Sequence, residues 1–419
     1  MRKERWIVPV VVVLALTWAL AQYIASLLFE RELERAMADL QARGDLRVSR
    51  SHVQRGWLSS SGTIHLSPLL SHDWHLSLPY EANHGVLDTS VSGQIELHHG
   101  RDDRGLFSDT LHSASPTWEA HYRSLGGTFN GKLRLASFVI SQSPPGEATR
   151  ELHFRGGNIS FNGVYGDWHL GVHLKPWSLH DGDAELEVGP SQLESRYTYT
   201  AGAQSFSQHD QLTIDALSLS HPRVNLEGSN LQLETRTLLD DSELRIGSQL
   251  SVGEVSSGDR LLLAGTANME LSRINADALK ELIVLLRRKA AEGGVLPQAA
   301  EPGSELDLAL INLLQDSPRL DVRDVDLDSP MLGLSLKGNG VVIFDARQLG
   351  ELSAVQLQDP LMRGRFQSRL DGDFEWLDVP AMVALWLHEP LDTQSLTLDL
   401  VKGQIRINGR LAPPFKLPR

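Results

Sequence analysis

The feature that most constrains this chain is a period-2 alternation of apolar and polar residues, which takes over after Gly44 and recurs almost to the C-terminus. Ile64 and Leu66 alternate with His65 and Ser67, and Trp74, Leu76, Leu78 and Tyr80 alternate with His75, Ser77 and Pro79. Ile95 and Leu97 alternate with Gln94, Glu96 and His98, and Trp168, Leu170, Val172 and Leu174 with His169, Gly171 and His173. Like stretches follow at 212–219, 231–233, 334–336, 396–400 and 405–407. Side chains of a strand point alternately to its two faces, so this pattern predicts antiparallel strands with one apolar face. Turn signals such as Asn130-Gly131, Asn162-Gly163 and Asp181-Gly182-Asp183 separate the runs and suit hairpins. The expected fold class is mainly β, a large antiparallel, elongated or curved sheet with a few short capping helices.

The N-terminus reads differently. Trp6 to Phe29 is a run of 24 residues without a charge, which as a helix would span roughly 36 Å, enough for a hydrocarbon core of about 30 Å. Arg2, Lys3 and Arg5 precede it and mixed charge follows it, so the positive-inside bias keeps residues 1–5 in the cytoplasm and exports the rest. Ala19-Leu20-Ala21 offers a signal-peptide cleavage pattern. Apolar sequence nevertheless resumes through Ile24, Leu27, Leu28 and Phe29, and a helical pattern (Leu33, Met37, Leu40) continues to Gly44. The expectation is a retained anchor over 6–29 and a juxtamembrane helix over 30–44, with the membrane as a partner.

Three further helices are expected. One is capped by Asn275 and carries Leu279, Leu282, Ile283 and Leu286; one starts at Ser304 with Asp307 as an imperfect capping box; one is capped by Asp378 and runs through Met382, Val383, Leu385 and Trp386. Residues 293–304 read as a linker between a β-rich region at 45–292 and a second at 305–419. Leu271-x-x-Ile274-Asn275-x-x-Ala278-Leu279-x-x-Leu282 matches Phe374-x-x-Leu377-Asp378-x-x-Ala381-Met382-x-x-Leu385 at a constant offset, which suggests a repeated strand–helix unit.

The net charge is −14, which repels phosphate backbones and makes nucleic acid an unlikely partner. The chain has no Cys, which excludes disulfides and thiolate metal sites. His169 and His173 share a strand face but lie roughly 13 Å apart, too far for one ion by themselves. Asp324-Val325-Asp326-Leu327-Asp328 lacks the Gly and terminal Glu of a calcium loop and reads as a strand. Nucleophile-elbow, phosphate-loop, dinucleotide and zinc-protease motifs are absent from the sequence. No catalytic residue, metal or cofactor is assigned, and the chain is read as a non-enzyme.

Arg55-Gly56-Trp57-Leu58-Ser59-Ser60-Ser61-Gly62, Pro318 to Gly340 and Gly403 to Arg410 together resemble the YdgA-like bacterial envelope family, a domain of unknown function numbered 945. The resemblance implies a membrane-anchored envelope protein of the bacterial inner membrane with its bulk in the periplasm. It is looser toward AsmA-like proteins and implies a role in lipid traffic or outer-membrane homeostasis, by analogy of fold. Arg55, Gly56, Trp57 and Ser59 are the candidate partner segment; its plainer reading is a Gly-permitted bend that aims Trp57 and Leu58 into the core. Leu76, Leu170 and Leu334 are the candidate apolar groove.

Two classes of function stay open on these residues. One is a lipid-handling sheet, because a long sheet with few helices must cover its apolar face by curling or by binding something. The other is a structural or adaptor protein that binds other envelope proteins. An envelope hydrolase ranks third.

Overall fold

A computed structural model describes the whole chain except residues 1–3, 44–45, 70–73, 101–103, 112, 143–148, 201–204, 292–300, 388 and 412–419. The protein is mainly β, antiparallel throughout its paired strands, with few helices. It divides into two compact units, 1–140 with 153–175 and 196–199, and 141–152 with 176–195 and 200–419. The sequence suggested a boundary at the segment 293–304 instead, most of which lies outside the described residues. The strands on either side of the segment pair with each other, as described below.

The first unit is a meander laid against one helix. Helix α1 runs without interruption over Glu4–Arg43, and its side chains are described from Thr17 on. After it come β1 (Leu46–Arg55), β2 (Ser59–Pro68), β3 (Trp74–His84) and β4 (Asp88–Gln94). The ladder continues through β5 (Thr117–Arg123), β6 (Thr128–Leu135), β7 (Gly157–Val164) and β8 (Asp167–Leu174). Each strand pairs antiparallel with the next. The expected alternation holds: Tyr80, Ala82, Val91, Ala120 and Tyr122 turn inward and form one buried cluster with Phe29 of α1.

Gln22, Ala25, Ser26 and Phe29, at the i, i+3, i+4, i+7 spacing of one helix face, are all buried. The opposite face, with Leu20, Tyr23, Ile24 and Leu27, is exposed, and so is Trp18, one turn before Gln22 on the buried side. The sequence runs the anchor to Phe29, yet from Gln22 onward one side of the helix is already seated on the protein's own sheet. Among the described residues no helix is long and apolar enough to cross a membrane.

The second unit is built on longer strands: β9 (Phe206–His221), β10 (Val224–Leu239), β11 (Glu243–Ser257) and β12 (Arg260–Asn275). Then come α2 (Ala276–Ala291), α3 (Glu305–Asn312), β13 (Arg319–Ser329) and β14 (Leu334–Phe344). They are followed by α4 (Pro360–Gln367), β15 (Leu370–Leu377), α5 (Ala381–Trp386), β16 (Ser395–Val401) and β17 (Gln404–Ile407). Successive strands again pair antiparallel, and β12 pairs with β13 from Ala264↔Asp328 to Ser272↔Arg319, across the expected linker. The Asp324–Asp328 stretch is a strand with Val325 buried, as its alternation suggests.

The helices follow their caps. Asn275 Oδ1 accepts the Ala278 N–H at 2.7 Å, and Ser304 Oγ accepts the Asp307 N–H at 3.3 Å. Asp307, almost wholly buried, accepts from the Gly303 N–H at 2.8 Å and the Val355 N–H at 3.2 Å. Burial opposes its ionisation, but these backbone donors outweigh it and hold the carboxyl below the usual range. The sequence reading missed α4, although Asp359 caps it by accepting the Leu361 N–H and Pro360 opens it.

The strand–helix repeat is only half realised. Both copies run a strand toward a helix, but Asp378 is not the second cap: it sits at φ 51°, and Pro380 takes the cap position with no side-chain bond. The shorter α5 therefore turns Val383 and Ala384 inward, and Leu385 is 64% exposed where Leu282 is 8% exposed. Leu282→Ala is expected to cost about 2–5 kcal/mol and Leu385→Ala within about 0.5 kcal/mol. Urea unfolding of the two variants measures the difference, and equal losses would contradict this packing.

Candidate functional site

Arg55-Gly56-Trp57-Leu58-Ser59 forms the end of β1, the hairpin tip and the start of β2. Arg55 reaches α1: its Nη2 lies 2.7 Å from Glu34 Oε1 and its Nε 3.4 Å from Glu30 Oε2. A Cβ on Gly56 would fall 2.6 Å from the Ser59 carbonyl oxygen, so only glycine fits this turn. The expected inward aim of Trp57 and Leu58 is corrected, since both are about half exposed. They occupy the tip itself, beyond the last paired residues, where the sheet has no interior to offer. Ser59 is exposed and pairs across the ladder with Asn83.

The residues just after this segment carry the buried chemistry. Ser60 is buried, with its hydroxyl 3.0 Å from His84 Nε2. His84 Nδ1 lies 3.4 Å from Thr89 Oγ1, and the Gln22 side-chain amide donates to the His84 carbonyl. The ring of Phe29 packs 5.5 Å from that of His84. Burial lowers the pKa of His84, although Glu30 pulls the other way, so the neutral imidazole is favoured. This resembles a nucleophile–base pair in spacing alone. Ser60, His84 and Thr89 are all buried.

Beside it lies a nearly buried ion pair. Arg50 donates to both Glu30 oxygens, at 2.7 and 3.0 Å, and also to the Tyr80 hydroxyl. Gly62 leaves room for this: a Cβ there would meet the Tyr80 hydroxyl and ring at 3.0–3.3 Å. Burial works against the Glu30 carboxylate, but the Arg50 hydrogen bond and the charges of Arg50 and Arg55 outweigh it and lower its pKa. Farther along, Arg35 stacks on the Tyr165 ring and Asp39 accepts from Tyr199. The segment that sequence singled out thus belongs to a clasp that holds α1.

Leu76 and Leu170 share the helix-facing side of the first unit with Tyr80 and Ala120, and both are half-buried. Leu334 belongs to the second unit and is 38% exposed. Leu334 shares a face with residues that the sequence reading left out. Leu212, Leu233 and Leu250 are directly paired across β9, β10 and β11, and Ala267 and Val325 continue the row. The neighbouring row is Ile214, Leu231, Val252, Gly265, Leu327 and Leu336, two residues from Leu334. On this apolar face Leu233, Leu250 and Met269 are exposed. The parity of the alternating runs was the available signal.

The first unit carries a cleft of about 780 Å³ lined by His52, Glu81, Trp118, Glu119 and Lys132. Its acids and bases alternate along paired strands, Glu119 opposite Lys132, as a solvated sheet face does. Among the described residues no three His, Asp or Glu side chains converge as metal ligands.

These features define a β-meander protein that clasps an N-terminal helix and carries a second unit of longer strands, on one face of which several apolar side chains are exposed. The chain belongs to the family described as bacterial protein of unknown function (DUF945), whose model matches residues 1–358. The Arg55–Gly62 and Pro318–Gly340 motifs fall inside the match and Gly403–Arg410 outside it. No curated protein and no solved structure matches the chain.

Proposed function

We propose that this chain is a non-enzymatic bacterial envelope protein of the YdgA-like kind. In this reading the N-terminal part of α1 holds it in the inner membrane, and its periplasmic body handles lipid, as the distant similarity to AsmA-like proteins also suggests. The observation that carries the reading is the apolar face of Leu233, Leu250, Met269 and Leu334, whose side chains stay open to solvent on a sheet of long strands. A strip of this kind suits an acyl chain, which needs apolar contact and no specific polar partner.

Mass spectrometry of lipid co-purifying with the detergent-extracted protein tests it. Leu250→Asp and Leu334→Asp are expected to fold, because water reaches both carboxylates, and to lose the lipid. A wild type without bound lipid sinks the proposal, and so do folded variants that retain it. Orientation is checked separately: Asp259→Cys, in an exposed turn, should react with an impermeant maleimide once the outer membrane is opened. Protection of that residue until the inner membrane is lysed would reverse the topology.

The adaptor reading rests on a different patch. Met331, Leu332, Met382, Leu385 and Trp386 are all at least half exposed, and the Met382 methyl lies 3.5 Å from the Cβ position of Gly333. The turn before β14 and helix α5 thus offer one apolar surface suited to a protein client. A photo-crosslinker at Leu385 that captures a single envelope protein in cells would favour this reading; a probe that captures only lipid would reject it.

A further inference from the structure

Three hairpin tips of the first unit are tied to one another and to α1 at a single level. The Gln22 side chain donates to the His84 carbonyl, and the His84 N–H donates to the Leu58 carbonyl at 2.7 Å. The Gly85 N–H closes its turn on the Asp88 carbonyl at 2.8 Å, and the Ser124 N–H reaches the Leu87 carbonyl at 3.0 Å. Hairpin tips in water usually carry small or polar residues. These carry Trp57, Leu58, Leu87 and Leu125, all exposed, Leu125 at 86%. The adjoining turns of α1 expose Trp18, Tyr23, Ile24 and Leu27.

Length decides what this level faces. The uncharged run starts at Trp6, so 16 residues precede Gln22, and as a helix they cover about 24 Å. A hydrocarbon core is about 30 Å thick. A helix that crosses the membrane from Trp6 therefore reaches Gln22 before it has left the hydrocarbon and headgroup boundary. The tips bonded to Gln22 and His84 must lie at that same depth. Trp and Tyr favour this zone, and apolar groups seat roughly 5–10 Å into it.

We infer that the tips at Trp57-Leu58, Leu87 and Leu125 insert into the lipid interface around α1 and form a second, monotopic membrane contact. Their occupant is the bilayer itself. The inference rests on the anchor proposed above. The tips supply the apolar contact that the short free part of α1 leaves unmade, and they fix the first unit against the membrane surface instead of letting it swing on a tether.

The native chain has no Cys, so single labels report cleanly. Leu87→Cys and Leu125→Cys, each carrying an environment-sensitive fluorophore, are placed in the full chain in phosphatidylethanolamine–phosphatidylglycerol vesicles. Thr117→Cys is the control, exposed at the other end of the same meander. Flotation on a density gradient reports the anchor, and nitroxide-labelled phospholipids report depth. The expected result is that all three proteins float, that the Leu87 and Leu125 probes shift to the blue and lose most of their emission to the lipid nitroxide, and that the Thr117 probe does neither. Floating protein with unquenched tip probes overturns the inference and leaves the anchor standing. Probes that shift to the blue without lipid quenching mean that a protein covers the tips, which also overturns it. Failure to float removes the anchor reading and this inference with it.

Discussion

Arg50→Ala is expected to cost about 3–5 kcal/mol, because it takes both close hydrogen bonds from the Glu30 carboxylate of α1 and leaves it only the more distant Arg55. The Arg50 side chain is 8% exposed and Glu30 13%, so little water can replace the guanidinium. The same change leaves the Tyr80 hydroxyl without its donor. Hydrogen exchange across residues 46–94 reads the loss directly in the strands that α1 covers. The double variant Glu30→Ala with Arg50→Ala should recover part of it, since no charge is then left behind. Equal protection in wild type and Arg50→Ala would mean that the pair contributes nothing.

The ion pair also sets a pH dependence. Although burial opposes its ionisation, the pKa of Glu30 is lowered in the fold by the Arg50 hydrogen bond and the charges of Arg50 and Arg55. Its stabilisation is therefore complete above the unfolded-state value and is lost as pH falls through the lower folded-state value. Acid titration of the wild type should show this loss below about pH 4.5, and Glu30→Gln should remove it. A loss that persists in Glu30→Gln assigns the effect to other carboxylates.

Phe29→Ala is expected to cost about 3–5 kcal/mol, the range for deleting a large buried aromatic ring. Phe29 is 5% exposed and packs among Tyr80, Ala82, Val91, Ala120 and Tyr122, with ring centroids 6.1 Å from Tyr122. The hole left behind has β-strand backbone for walls, which cannot collapse into it without breaking ladder bonds. Leu27→Ala removes a large apolar side chain from the exposed face of the same helix and should change stability by no more than about 0.5 kcal/mol. Thermal unfolding of the two variants makes the comparison. A small loss for Phe29→Ala would mean that α1 is not part of the first unit's core.

Much of the secondary structure was legible because it depends on near neighbours. Strand faces at Tyr80–Ala82 and Ile214–Leu212 follow from alternation alone. The caps at Asn275 and Ser304 follow from a side-chain acceptor three residues before its donor. The failures came where a local pattern had to be given a partner. Asp378 has the cap chemistry, but its backbone turns the wrong way, and Leu385 loses the burial that its match to Leu282 suggested. Asp359-Pro360 had the signal of a helix start and was passed over.

The candidate site was legible only in part. The Arg55–Gly62 segment stood out in the sequence by its residue types alone, whereas its contacts are with residues distant in the chain, namely Glu30, Glu34, Tyr80 and His84. Leu76, Leu170 and Leu334 all obey the same alternation, and nothing local distinguishes a face covered by a helix from one left open. α1 covers the face that carries the first two, and Leu334 stands on the open one.

The sequence by itself determined that the chain is β-rich, that its strands have one apolar face each, and that an uncharged run precedes them. These are statements about residues a few positions apart, whose spacing is set by backbone geometry. Only the tertiary structure decided that the uncharged run gives up one face to the sheet at Gln22, and that the Arg55 segment clasps it. It also decided that three distant hairpin tips share one level. Such facts depend on which strand lies next to which, and that choice is made by the summed burial of the whole sheet and not by any short stretch of it.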